Sequence, residues 1–318
     1  MENNKKTVSV IMPAYNSERY ISEAVESVCN QSYTNWELVI VDDGSADRTP
    51  EIIDKYAEID SRIKVFHIKN SGVSAARNFA LDYICGEYVT FIDSDDVYHA
   101  DRLKIMLRVF EQHPECDAVF AQFKEFKDRL EEKDTVYGQA EIIDSDILKT
   151  VISDTRKHFV CNIMLKSEIA VKEKFAPLSF AEDFCYFRDC ARSFKQIAVL
   201  EDTLYYYRRN SGNAMTDHFF TGKYIPDFMQ LVENIYCFCK SYEPEDPFYK
   251  RMVAHEYAQS CMRIRKSTSY KKFVECMNDE KFREGMDFAD ASGCALFEKL
   301  LFFLIKHRIY IPFAFWIW

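Results

Sequence analysis

Val8-Ser-Val-Ile-Met-Pro13 is a short, almost wholly apolar run closed by a proline, and the segment after it carries Ile21, Ala24, Val25 and Val28. A run of this length reads as a buried strand that stops at the proline, and the i, i+3, i+4, i+7 spacing reads as one helical face. The unit then repeats. Trp36 to Val41 reads as a strand, and Thr49-Pro50 as a helix N-cap followed by proline in the first turn. Ile63 to Ile68 reads as a strand, Gly72 to Tyr83 as a helix, and Tyr88 to Ile92 as a strand, with Leu103, Met106, Leu107 and Phe110 marking a further helical face. Successive β/α units predict an α/β fold with a mostly parallel sheet flanked by helices. Ligands of such sheets bind beyond the carboxyl ends of the strands.

Further along, Glu125 to Asp144 reads as an irregular insertion and a helix is expected from Ser145. An apolar segment runs from Phe159 to Leu165, Tyr205-Tyr-Tyr207 falls in a late strand, and helices follow from about Asp217, parted by Pro244 and Pro247. The expected division is an α/β domain at 1–216, with halves at 1–125 and 126–216, and a helical region at 217–318.

Composition narrows the function classes. A net charge of −10 excludes general binding to a phosphate backbone, which needs Lys and Arg to displace counterions. The 11 cysteines form no CxxC pair and suit a reducing compartment, where they serve as small buried hydrophobes. The polar start of the chain carries no signal-peptide core, which points to a cytoplasmic protein. No G-x-G-x-x-G follows a strand, and no Walker loop, H-E-x-x-H or G-x-S-x-G is present, which sets aside dehydrogenase, P-loop kinase, zinc protease and serine hydrolase chemistry.

The residues just past the predicted strands are unusually polar. Pro13-Ala-Tyr-Asn16 offers Tyr15 for stacking on a planar base and Asn16 as an amide; a plain turn is the alternative. Asp42-Asp43-Gly-Ser45 follows the second strand, where one carboxylate would take loop amides and Asp43 a ring N–H or ribose hydroxyl, although the same residues also make ordinary turns. Asp93-Ser94-Asp95-Asp96 puts three carboxylates at the end of a buried strand, a concentration of charge that calls for a cation. Hard oxygen ligands of this kind suit Mg2+ or Mn2+. Arg77 and Asn78 lie near a helix start, where arginine attracts phosphate or pairs with a strand-end aspartate. Glu182-Asp183, among Phe180, Phe184, Tyr186 and Phe187, offers a partly desolvated general base or a dipole-favoured helix start. Arg208 and Arg209 could reach a diphosphate or sit in a surface turn.

In order, Val-Ser-Val-Ile-Met-Pro-Ala-Tyr-Asn, Val-Asp-Asp-Gly-Ser, Gly-Val-Ser-Ala-Ala-Arg-Asn and Asp-Ser-Asp-Asp resemble the signatures of family 2 glycosyltransferases of the GT-A fold, and the likeness extends over about residues 7 to 216. The resemblance implies an inverting, non-processive transfer from a nucleotide-sugar, with Asp183 as base and Glu182 in support. Pro13, Tyr15, Asn16, Asp43, Arg77, Asn78, Asp93, Ser94 and Arg208 would bind the nucleotide-sugar, with Asp42 supporting. Asp95 would be the principal ligand of a divalent metal, with Asp93 beside it. Ala181 stands where the family commonly has glycine before the acidic pair, and no Q-x-x-R-W is present.

UDP is the expected nucleotide, and a glycan or lipid-linked hydroxyl in cell-surface polysaccharide assembly the expected acceptor. Residues Phe126 to Ser179 would set specificity. A nucleotidyltransferase is one alternative, and a non-catalytic sugar-nucleotide-binding protein of the same fold is the other. The segment from Leu296 to Trp318 mixes aromatic residues with Lys299, Lys306 and Arg308 and predicts peripheral contact with the inner membrane face, the alternative being a packed C-terminal helix pair or dimer contact.

Overall fold

The computed structural model describes residues 6–127, 136–153, 159–179, 181–209 and 224–310. The chain divides into two compact units, Met1–Asn210 and Ser211–Trp318.

The first unit is built on a nine-stranded sheet. Strands β1 (Val8–Ala14), β2 (Trp36–Asp42), β3 (Ile63–His67) and β4 (Tyr88–Phe91) alternate with helices α1 (Ile21–Cys29), α2 (Thr49–Ile59) and α3 (Val73–Leu81). Their order β3-β2-β1-β4 is parallel throughout, as the repeat predicts. After β5 (Val97–Tyr98) and α4 (Arg102–Gln112) come β6 (Ala118–Phe126), β7 (Ala140–Ile143), α5 (Ile147–Ser153), a short 3-10 turn, β8 (Ile163–Lys166), α6 (Ser167–Ala170), α7 (Glu182–Ala191) and β9 (Ile197–Arg208). Beyond β4 the sheet is mixed: β8 runs antiparallel to β4 and β6, β9 is parallel to β6, and β5 and β7 pair antiparallel with β9.

The helical spacing read from the sequence is the buried face of α1, where Ile21, Ala24, Val25 and Val28 all lie in the core under the sheet. Three local readings change. Strand β1 does not stop at Pro13 but continues to Ala14. Val8 and Ala14 bond toward β2, through Val8 N to Asn35 O and Asp43 N to Ala14 O, whereas Ile11 O accepts Ile92 N from the β4 side. Pro13 alternates with Ala14 and so faces the β4 side, beyond the last β1–β4 pair at Ile11–Phe91, where a missing N–H costs no ladder bond.

Thr49 is not the cap but the first residue of α2, and its hydroxyl accepts Ser17 N at 2.7 Å. The expected insertion at Glu125 to Asp144 contains the end of β6 and all of β7; Glu125 and Glu141 lie on exposed faces of these strands, which hides the strand pattern. Residues 128–135 of that stretch lie outside the described residues.

Glu37 fastens the first three strands. Buried on β2, it accepts Ser9 Oγ at 2.5 Å, Cys85 N at 2.6 Å and Lys64 Nζ at 2.7 Å. Burial works against its charge, but these hydrogen bonds prevail and hold the carboxyl down at about 2.

The second unit is helical: α8 (Ile225–Tyr242), α9 (Pro247–Ser267), α10 (Tyr270–Met277), α11 (Glu280–Phe288) and α12 (Leu296–Lys306). Asp246, Ser269 and Asp279 cap α9, α10 and α11 by accepting Phe248 N, Lys272 N and Phe282 N. Gly285 is required by close approach, since a Cβ there would lie 1.8 Å from the Tyr257 hydroxyl oxygen. Among the described residues no helix is long and apolar enough to cross a membrane.

Candidate active site

The neighbours of β1 are reached in opposite directions, β2 on one side and β4 on the other, so a crevice opens where the carboxyl ends of β1 and β4 part. The loops that rim it are stitched together. Asn16, at φ +49°, donates its N–H to Ser45 Oγ and accepts Ala46 N on its side chain, joining the β1–α1 loop to the β2–α2 loop. An asparagine tolerates this left-handed conformation better than most residues. The Ser17 and Ser94 hydroxyls meet at 2.6 Å, joining the first of these loops to the end of β4. Tyr15, 52% exposed, projects from this rim.

Both aspartates at the carboxyl end of β2 are buried and engaged. Asp42 accepts Ser45 N and meets His67 Nδ1 at 3.0 Å, an imidazole that also meets Asp54 and whose affinity for a proton rises, chiefly through Asp42. Asp43 accepts Ser71 N at 2.7 Å and Gly72 N at 2.8 Å, one on each oxygen, and so fixes the turn into α3; each oxygen retains acceptor capacity.

Four of the residues singled out in the sequence meet at one buried guanidinium. Arg77, only 3% exposed, donates through Nη1 to Glu182 Oε1 (2.9 Å) and Asp183 Oδ1 (2.7 Å) and through Nη2 to Asp93 Oδ1 (3.0 Å). It thereby joins the end of β4 to the first turn of α7. Asp183 also accepts Val160 N at 3.0 Å. Burial raises the Asp183 carboxyl to about 8 against the opposing pull of Arg77, with Glu182 adding to the rise. Ala181, just before this pair, is left-handed at φ +57° and ψ 13°, the conformation that glycine adopts without strain.

The acidic loop does not present three carboxylates to the crevice, as its composition suggests. Asp93 and Asp95 are half-buried, but Asp96 turns inward to 1% exposure. Tyr205 OH (2.6 Å) and Arg208 N (2.6 Å) donate to it and replace water, while burial, then Asp95 and Asp93, push its carboxyl well above the usual range. The Tyr205 hydroxyl also accepts Asp93 N, so one phenol clamps both ends of the loop.

Arg208 is buried, donates to Asp95 O and Glu23, and lies over the Tyr20 and Phe126 rings. Asn78 exchanges two hydrogen bonds with the backbone of Phe175 and pins that loop. Sequence reading missed Tyr205, Ser17 and Glu23; the hydroxyl of the tyrosine cluster in a late strand was the available signal for the first.

Asp93 and Asp95 are hard oxygen donors at the crevice mouth, and among the described residues no group of three or more His, Cys, Asp or Glu side chains is disposed around a cation. Two carboxylates are a donor set that Mg2+ or Mn2+ can use, since these ions seldom take an all-protein cage.

A parallel half-sheet whose strand order turns at β1, with acidic loops at that switch point, is the arrangement of the GT-A fold. The family model described as Glycosyl transferase family 2 matches residues 9–164. Glycosyltransferase GlyG of Streptococcus pneumoniae serotype 4 is 30% identical over 227 residues, covering 67% of this chain and 74% of that relative. The chain belongs to glycosyl transferase family 2.

EpsH and TuaG of Bacillus subtilis (strain 168), 38% and 48% identical, are matched over 41% and 43% of their own length, so the chain aligns with less than half of each. S. aureus TarS 1-349, solved in complex with UDP-GlcNAc, superposes with a TM-score of 0.72 at 20% identity, covering 97% of this chain and 91% of that one. The mannosyltransferase PcManGT from Pyrobaculum calidifontis, in complex with GDP-Man and Mn2+, gives 0.55 at 18%, covering 99% and 84%. At these identities the two structures show the shared fold.

Proposed function

We propose that this chain is an inverting, non-processive glycosyltransferase that moves a sugar from a nucleotide-sugar to a hydroxyl of a glycan or lipid-linked acceptor. The observation that carries the reading is the Arg77 bridge, which sets the acceptor-side carboxyl of Asp183 beside the donor-side carboxyl of Asp93. Tyr15 stacks on the base, and the unused acceptor capacity of Asp43 serves its ring N–H. Pro13, Asn16 and Ser94 shape the crevice, while Asn78 and Arg208 act through the loops they hold. UDP suits a small ring on Tyr15.

Asp95 and Asp93 would hold a divalent cation, which when bound stabilises charge on the departing diphosphate. Asp183 takes the proton of the acceptor hydroxyl as its oxygen bonds to the anomeric carbon and the bond to the diphosphate breaks on the opposite face. Burial raises the basicity of this carboxyl, and the form that takes the proton is the carboxylate, which Arg77 Nη1 and Val160 N hold in place. Glu182 shares Arg77 with it and keeps the pair in register. The name of TuaG places that relative in teichuronic acid biosynthesis, which supports a polysaccharide-assembly role.

The test is binding and hydrolysis of UDP-, GDP- and dTDP-sugars with Mn2+ or Mg2+ in wild type, Asp95→Ala and Asp183→Asn. Cation-dependent turnover of one donor is expected, with binding lost in Asp95→Ala and turnover alone lost in Asp183→Asn. Absence of binding to every donor would favour a non-catalytic protein of the same fold and defeat the proposal.

A further inference from the structure

Helix α12 is apolar on both sides, and among the described residues only one side is covered. Leu301, Phe302 and Ile305 pack into the second unit, and Glu298, the helix's one acid, turns inward to His255 Nδ1 (2.8 Å) and Gln259 Nε2 (3.0 Å). The other side leaves Leu296 84%, Leu300 45% and Phe303 52% exposed, with Phe297 at 43% beside them. At 100° per residue, Leu296, Leu300 and Phe303 fall on one stripe, with Lys299 and Lys306 along one flank and Arg308 just beyond the helix end. Such a helix, apolar on both sides, calls for a cover on the outer one.

Charge decides the kind of cover. The chain carries −10 overall, yet this face has Lys299, Lys306 and Arg308 at its margin, with Glu298 turned away and Asp287, 4.0 Å from Lys306, the acid beside them. We propose that the outer face of α12 lies in the plane of an anionic lipid surface, with Leu296, Leu300 and Phe303 entering the acyl boundary and Lys299, Lys306 and Arg308 meeting the headgroups. A second copy of the chain is a poorer occupant, because pairing two such faces brings the same cations together. A lipid surface is also where a lipid-linked acceptor would be met, but the proposal stands without the transferase reading.

The test uses the full chain, without donor or metal, sedimented with vesicles of phosphatidylcholine alone or mixed with phosphatidylglycerol. Binding to the mixed vesicles is expected to exceed binding to the neutral ones. It should weaken roughly fivefold for each cation removed in Lys299→Gln and Lys306→Gln, and vanish in L300D/F303D. These side chains are exposed, so the variants should melt at the wild-type temperature, and the two lysine variants report even if the double variant does not fold. Equal binding to both vesicle types, or undiminished binding by folded L300D/F303D, would overturn the proposal. So would a dimer that L300D/F303D abolishes in a chain that ignores vesicles, since the face would then be closed by a second copy.

Discussion

Replacing Arg77 with methionine keeps most of the buried stem and removes the charge. Three acids then share a pocket without the guanidinium that bridges them, with side chains 34% (Asp93), 13% (Glu182) and 17% (Asp183) exposed. Breaking a buried pair by deleting one partner costs about 3–5 kcal/mol. Partial access of water to the acids pulls the expected loss to about 3 kcal/mol near neutral pH.

The pH dependence follows from Asp183, whose folded value of about 8 lies above its unfolded value of 3.8. A raised value contributes stability that is fully present below the unfolded pKa and is lost as pH rises through the folded one. Removing Arg77 raises the folded value further, so below about 8 the carboxyl is protonated with or without Arg77. Above 8 only the wild type gains from its ionisation beside the guanidinium. The deficit of Arg77→Met should therefore widen by up to about 1.4 kcal/mol per pH unit above 8. Urea titrations of both proteins at pH 7 and pH 9 measure it. A deficit under about 1 kcal/mol at both pH values would show that water, not Arg77, holds these acids, and would refute the bridge.

Ala181→Gly should raise stability by about 0.5–1 kcal/mol in the same assay, because glycine relieves a left-handed alanine at the cost of greater unfolded-chain entropy; a drop would mean that the methyl group packs. Glu37→Gln should cost about 2 kcal/mol at pH 7. The depressed value of Glu37 contributes stability above the unfolded 4.5 that is lost as pH falls toward 2, so acid titration should bring variant and wild type together there. Tyr205→Phe deletes the hydroxyl between Asp93 N and Asp96 and should cost about 1–3 kcal/mol. Calorimetric Mn2+ binding should weaken with it, and unchanged binding would separate the loop clamp from the cation site.

The sequence made the first half of the fold legible because β1 and β2 are buried on both faces and the helices between the strands each carry an apolar stripe, so Val8 to Phe91 punctuates itself. The second half hides its order in long-range pairing: β9 meets β6 some eighty residues earlier, and the exposed faces of β6 and β7 blur the alternation. Within the site, local pattern grouped Asp93, Asp95 and Asp96 but could not say which turns inward, since the partners that settle it, Tyr205 and Arg208, lie more than a hundred residues away. Likewise Arg77 and Asp183 were each legible as polar residues at helix starts, and only the fold joins them.

Pro13 gives the parting of β1 and β4 a further meaning. Past Ile11 the β1–β4 ladder has ended, yet Pro13 lies buried on that side. A residue with an amide hydrogen at position 13 would carry a donor into the core with no ladder to receive it; proline removes the donor. Two strands can thus part inside the sheet without leaving an orphan amide behind.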